Sequence, residues 1–276
     1  MQNGSKKIFG KDDLVDDLKA LGFEPGDGVF VHCALGQIGH VIGGPRGVID
    51  ALIAVVGETG LIGMPGFSSD AYDPLEALDI TVSDDRRARI SDQVPGFDKD
   101  RSNVAQNGAV AEGFRTWPGV VRSTHPTTSV LLYGADADSL AHPHDPHGWA
   151  TGPDTPWGRL MTRPNMKILL IGVGWNRCSA LHAAESLASH KRTKTRRFKH
   201  GMQDSGTWIT APDVADDLDR LFPLVGADWE REGAVIQGQL GDATCRVTDY
   251  ADLVNFAANW IDKRNRADGV PANDCG

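Results

Sequence analysis

His182 and Glu185 lie three apart in the segment Ser-Ala-Leu-His-Ala-Ala-Glu-Ser. On a helix that spacing puts both side chains on one face. A neutral imidazole oriented by a carboxylate can take a proton from an attacking nucleophile. The same spacing also suits a surface histidine in a helix salt bridge. A second candidate is Val31-His32-Cys33-Ala34-Leu35-Gly36, followed by Gly39 and by Val41-Ile42-Gly43-Gly44-Pro45. Its glycines would let backbone approach a phosphate, and the next helix would offer free N–H groups. It matches neither GxGxxG nor GxxxxGK[ST], so ordinary nucleotide motifs are absent, and a plain loop between strand and helix is the alternative. In Arg122-Ser123-Thr124-His125-Pro126, a histidine before proline is held extended, either toward a cleft or in a rigid turn. His142-Pro143-His144-Asp145-Pro146-His147 offers metal-ligand types, but its prolines scatter them and the spacing fits no zinc template. A loop of polar side chains over a site is the better reading, and no metal is expected.

Two charge runs complete the inventory. Lys191, Arg192, Lys194, Arg196, Arg197 and Lys199 lack an aromatic platform, so they read as a solvated face and not as a nucleic-acid site. The acids Asp213, Asp216, Asp217, Asp219, Asp228, Glu230 and Glu232 read mostly as a solvated helix face. One or two of them could instead line a pocket for a polyamine, and the same holds for Asp70, Asp73, Glu76, Asp79, Asp84 and Asp85.

The elements that must position these residues follow from apolar spacing. Helices are predicted over 11–21, 46–56, 103–115 and 179–189, with Pro45 in a first turn and Asn103 as a cap. Strands are predicted over 29–32, 61–64, 129–133 and 167–173, the last a nearly continuous apolar run. Residues 67–101 and 141–157 read as long irregular loops. Strands over 234–240 and 243–247 surround Gly241-Asp242 as a hairpin, and Asp249 caps a last amphipathic helix carrying Leu253, Phe256, Ala257 and Trp260. The expected fold is α/β: a layered, mostly parallel central sheet with flanking helices and a small C-terminal hairpin and helix. One domain over 1–265 and a disordered tail over 266–276 are expected. Ligands in such sheets sit beyond the carboxyl ends of the strands.

Composition narrows the class. Across 276 residues, 40% are hydrophobic and 24% charged, an ordinary globular balance. No segment approaches the ~18 apolar residues of a membrane span, and the N-terminus lacks an apolar signal core, so a cytoplasmic protein with no membrane partner is expected. The four scattered cysteines form no CxxC pair. The net charge of −9 disfavours polyanions and favours a cationic ligand.

Taken in order, VHCALGQIGHVIGG, MPGF, RSTHPTTSV, GPDTPWGRL and ILLIGVGWNRCSALHAAE resemble the aminoglycoside 3-N-acetyltransferases, the antibiotic N-acetyltransferase family unrelated to the GNAT fold. The resemblance spans about residues 10–260. It implies acetyl-CoA as cosubstrate, the 3-amine of a 2-deoxystreptamine ring as acceptor, and antibiotic resistance as the outcome. It further implies that His32, Cys33, Ala34, Leu35, Gly36, Val41, Gly43 and Gly44 hold coenzyme A with His125 nearby. It makes His182 the general base and Glu185 its partner or an amine contact. Asp70, Tyr72, His144, His147, Asp154 and Asp213 are the acceptor-side candidates. The family often reads VHSS where this chain has Val31-His32-Cys33-Ala34, which removes a hydroxyl contact, and Thr155-Pro156 replaces its usual Ser-Pro. Monomer and homodimer are both compatible. The competing readings are an acetyltransferase for another small amine, a noncatalytic binder of a cationic ligand and, most distantly, a metal hydrolase.

Overall fold

The computed structural model describes residues 7–202, 206–215 and 220–273. In chain order the elements are β1 (Ile8–Phe9), α1 (Lys11–Ala20), β2 (Gly28–Cys33), α2 (Leu35–Ile38), β3 (His40–Val41), α3 (Pro45–Val56), β4 (Leu61–Pro65), α4 (Pro74–Ala77), α5 (Asp84–Gln93), α6 (Ala109–Arg115), β5 (Val121–Arg122), β6 (Val130–Gly134), α7 (Ala137–Ala141), α8 (Pro156–Leu160), β7 (Met166–Ile171), α9 (Ala180–Leu187), β8 (Thr193–His200), β9 (Thr207–Val214), α10 (Phe222–Arg231), β10 (Ile236–Leu240), β11 (Ala243–Asp249) and α11 (Tyr250–Ala267).

Seven strands form the central sheet in the order β10-β11-β7-β2-β4-β6-β5. Its centre is parallel: β2 pairs in parallel with both β7 and β4, while the outer pairs run antiparallel. The continuous apolar runs of β2, β4 and β7 suit strands covered on both faces. Side chains alternate between the faces with period two. Val29, Val31, Leu169 and Ile171 join Leu14, Val48, Leu52 and Phe114 from α1, α3 and α6 in one core layer. Phe30, Ile168 and Leu170 join Leu181, Phe222 and Leu253 from α9, α10 and α11 in the other. The predicted hairpin is β10–β11, and the Asp249 side chain caps α11 by accepting the Asp252 N–H.

Four segments differ from expectation. Residues 67–101 contain α4 and α5; α5 reads DDRRARISDQ and buries no residue, so hydrophobic periodicity left no trace of it. Asn103 accepts the Ala105 N–H at 3.2 Å and opens a short 3₁₀ turn, Ala105–Asn107, and α6 begins only after Gly108. The basic run is strand β8, paired antiparallel with β9 in a separate two-stranded sheet. Phe198, Ile209 and Ala211 of that hairpin pack with Ala71 and Phe97, and bridges Tyr72↔Phe198 and Phe97↔His200 tie it to the 67–101 segment. Buried Asp73 pairs with Arg197, with Arg87 at 3.8 Å. Finally, α11 continues to Ala267, and Asn273 hydrogen-bonds Ser189 and Lys191, so 266–273 is held against the 188–192 turn. Residues 274–276 of the expected tail lie outside the described residues.

Trp157 links the sheet to the loops above it. Its ring is fully buried between Phe30 and Phe67, with centroids 5.2 and 5.7 Å away. Its Nε1–H donates to the Thr128 carbonyl at 2.9 Å, and its own carbonyl accepts from the Tyr250 hydroxyl at 3.1 Å. Trp157→Ala should lower unfolding free energy by about 3–5 kcal/mol, read as a lower denaturant midpoint at unchanged slope.

Candidate active site

Strands β2 and β7 run side by side, with His32 opposite Leu170 and Cys33 opposite Ile171. Their carboxyl ends therefore open at the same edge of the sheet, where α/β sheets bind ligands. A cavity of about 410 Å³ lies there. Its walls are His32, Cys33 and Ala34 at the end of β2, Pro65 and Phe67 at the end of β4, Thr127 and Thr128 before β6, and Asn176 to Ser179 after β7. His182 of α9, Thr151, Tyr72, Arg196, Asp213 and Phe222 complete the lining used below.

Helix α9 carries the sequence ALHAAESL, built of good helix formers, and buries Leu181, Ala183 and Ala184. That burial sets the rotation of the helix. His182 consequently faces the cavity while Glu185, one turn on, is 7% exposed. The His182 Nδ1–H donates to Glu185 Oε2 at 2.9 Å, so in the neutral ring the unprotonated nitrogen is Nε2. Phe222 meets the imidazole edge-on at 4.9 Å and Phe67 lies at 6.3 Å. The His182 carbonyl accepts from the Thr151 hydroxyl at 3.0 Å, which ties α9 to the 141–157 loop.

His32 is buried, and its Nε2 accepts the Ser179 backbone N–H at 3.3 Å. Desolvation, reinforced by nearby His182, lowers its pKa to about 3, so the ring is neutral at physiological pH. Cys33 and Cys178 also border the cavity, and burial raises both thiols to about 12. They remain protonated near neutrality and are poor nucleophiles.

The other donor-side candidates divide among three places. Leu35 and Gly36 belong to α2; Gly36 lines a separate hollow of about 330 Å³ with Lys7, Gly39, His40 and Asp242. Val41 is buried in β3, and Gly43 and Gly44, with φ of +80° and +57°, form the turn into α3. His125 lies behind the cavity wall. Its Nδ1 is 2.9 Å from Thr128 Oγ1 and accepts weak hydrogen bonds from the Thr127 and Thr128 N–H groups, while Nε2 has no partner among the described residues. It thus shapes the loop whose threonines reach the cavity.

On the acceptor side, Tyr72 and Asp213 line the cavity. Asp213 is buried and pairs with Arg196, whose Nη1 donates to the Tyr72 hydroxyl at 3.4 Å. His144 is inside the wall: its ring lies 4.8 Å from that of His125, Nε2–H donates to the Ala150 carbonyl at 2.9 Å, and Nδ1 bonds the Ser123 hydroxyl at 2.9 Å. Burial lowers its pKa to about 4. Asp70 is half-buried outside the lining, and His147 and Asp154 are exposed on the surface. Asp216, Asp217 and Asp219 lie outside the described residues. Sequence reasoning did not single out Thr127, Thr128, Thr151, Arg196 or Phe222. Arg196 was legible only as one charge in a run, and Phe222 carried no signal beyond being apolar. Among the described residues no cluster of three His, Cys, Asp or Glu side chains is arranged for a metal, and no helix is long and apolar enough to cross a membrane.

A parallel-centred α/β sheet with a histidine–carboxylate pair over its carboxyl edge defines an enzyme-like architecture. The chain belongs to the aminoglycoside 3-N-acetyltransferase family, whose model matches residues 30–262. It is 31% identical over 252 residues to the SPbeta prophage-derived aminoglycoside N(3')-acetyltransferase-like protein YokD of Bacillus subtilis (strain 168), covering 91% of this chain and 92% of that protein. The sisomicin-bound structure of AAC-VIa superposes with a TM-score of 0.81 at 33% identity, over 94% of this chain and 99% of the other. The structure of AAC-IIIb with CoASH superposes with a TM-score of 0.83 at 28% identity, over 94% and 98%.

The buried neutral histidines make stability depend on pH. His32, His125 and His144 have folded pKa values below the unfolded value of about 6.5, at about 3, well below the usual value, and about 4 respectively. Below that pH the unfolded chain binds protons that the folded chain refuses. Unfolding free energy should therefore fall as pH drops from about 7 toward 4, each ring contributing up to about 1.4 kcal/mol per pH unit. Urea titrations across this range should show the slope, and His144→Gln should flatten it by roughly one proton's worth.

Proposed function

We propose that this chain transfers the acetyl group of acetyl-CoA to the 3-amine of the 2-deoxystreptamine ring of aminoglycosides, removing one positive charge and so conferring resistance. The observation that carries the reading is the His182–Glu185 pair, 2.9 Å apart, at a cavity bordered by the ends of β2 and β7. Family membership and the CoASH- and sisomicin-bound neighbours agree with it.

The acceptor nitrogen arrives as an ammonium and must lose a proton to attack. His182 Nε2 takes that proton, directly or through one water, and Glu185 holds the tautomer and stabilises the imidazolium. The nitrogen lone pair bonds to the acetyl carbon and the carbon–sulfur bond breaks; of the two protons the ammonium loses on becoming an amide, one passes through His182 to the departing sulfur and the other leaves to solvent. The cavity suits an uncharged thioester. His32–Ala34 and Ser179 present backbone and neutral side chains there, and the protonated Cys33 and Cys178 thiols do not compete for the acetyl group. Exposed Arg177 at the same cavity offers a cation for the donor's phosphates. Asp213 and Tyr72 are the acceptor-side contacts in this reading, and Glu185, which does not line the cavity, acts through His182. Arg196 beside Asp213 favours one second reading, a small amine acceptor other than an aminoglycoside.

Thiol release from acetyl-CoA across a panel of aminoglycosides and other amines separates the two. His182→Ala should lower kcat by about 10²–10⁴-fold while calorimetry still detects coenzyme A binding. Undiminished turnover would remove His182 from the mechanism, and turnover with other amines alone would move the assignment to the second reading.

A further inference from the structure

Two histidines line the cavity, and only His182 moves a proton in the mechanism above. His32 stands at the carboxyl end of β2, and its Nε2 is already engaged by the Ser179 N–H at 3.3 Å. A backbone N–H can only donate, so the contacted ring nitrogen must be bare and the proton of the neutral ring must sit on Nδ1. Among the described residues Nδ1 has no hydrogen-bond partner, yet it is not sealed from solvent as the unpartnered His125 Nε2 and Arg163 Nε are. His32 is otherwise buried, and the open space it borders is the cavity. Its free N–H therefore faces the space where acyl transfer would occur. Ser179, the residue that locks the tautomer, is the cap of α9, the helix that carries His182.

We propose that the Ser179 N–H fixes His32 as its Nδ1–H tautomer, so that His32 is a catalytic hydrogen-bond donor to the acetyl oxygen during transfer. This rests on the acetyltransferase reading. As the amine nitrogen bonds to the acetyl carbon, the carbonyl π pair moves onto oxygen. His32 Nδ1–H donates to that oxygen and keeps its proton, and the pair returns as the carbon–sulfur bond breaks. A neutral donor serves here better than an imidazolium, because a second cation would oppose protonation of His182. One preorganised donor of this kind is commonly worth about 10²–10³-fold in kcat.

Three measurements test it. In ¹⁵N-histidine spectra of the full-length protein near pH 7, His32 should show the Nδ1–H tautomer, and a nonreactive ketone analogue of acetyl-CoA should shift Nδ1 where coenzyme A does not. Ser179→Pro removes the N–H and brings its Cδ against His32 Nε2, so it both unlocks the tautomer and shifts the ring, and should give mixed tautomers and a lower kcat at similar KM for acetyl-CoA. His32→Phe should lower kcat about 10²-fold, and His32→Gln, which can accept from Ser179 and donate to the cavity, should recover part of it. An Nε2–H tautomer, an unmoved Nδ1 resonance with the analogue, or full activity in both Ser179→Pro and His32→Phe would overturn the proposal. Absence of acetyl transfer to any amine in the wild type would instead reject the acetyltransferase reading, and the spectra would still report the tautomer on their own.

Discussion

Everything at the candidate site depends on the parallel pairing of β2 with β7. Six residues of each strand align, from Gly28 opposite Met166 to Cys33 opposite Ile171. Parallel neighbours end together, so the two chain exits leave the sheet at the same edge. One exit carries His32 and the other leads through a short turn into α9 and His182. A one-residue slip would turn each of these side chains to the opposite face of the sheet. The register is held because the alternating residues of both strands are buried in two different core layers.

The second organising feature is desolvation. Three imidazoles, His32, His125 and His144, are buried deeply enough to stay neutral, and each is oriented by hydrogen bonds to backbone or hydroxyl groups. Burial of a neutral imidazole costs little when its acceptor or donor is satisfied, whereas burial of the charged form costs much more. His182 differs because Glu185 accepts its Nδ1–H and would stabilise the cation. Neighbouring histidines in one small region thereby differ: three are held neutral by burial, and His182 is paired with a buried carboxylate.

The hairpin β8–β9 contributes the far wall. It is not part of the central sheet and packs against the polar 67–101 segment through Phe97, Phe198 and Ile209, with Asp73–Arg197 as a buried ion pair. This is why Arg196 and Asp213, distant in sequence from Tyr72, line the cavity with it, Arg196 in contact with both. Such pairs hold geometry more than they add net stability, since desolvation offsets much of their attraction.

The sequence by itself determined the central strands, α1, α3, α9, the terminal hairpin and the Asp249 cap, because apolar periodicity and local capping are short-range properties. It also carried the His182–Glu185 pair, since i,i+3 spacing on a helix is a local fact. It was silent on α5, which buries nothing, and on β8–β9, whose basic run masks a strand held by pairing with β9 and by packing on the distant Ala71 and Phe97. Tertiary structure alone decided that His144 and His125 belong inside the wall, that His147 and Asp154 stay on the surface, and that Thr127, Thr128, Thr151 and Phe222 reach the cavity. Those assignments depend on which loop closes over which strand end, and that is settled by long-range packing between segments whose sequences do not record it.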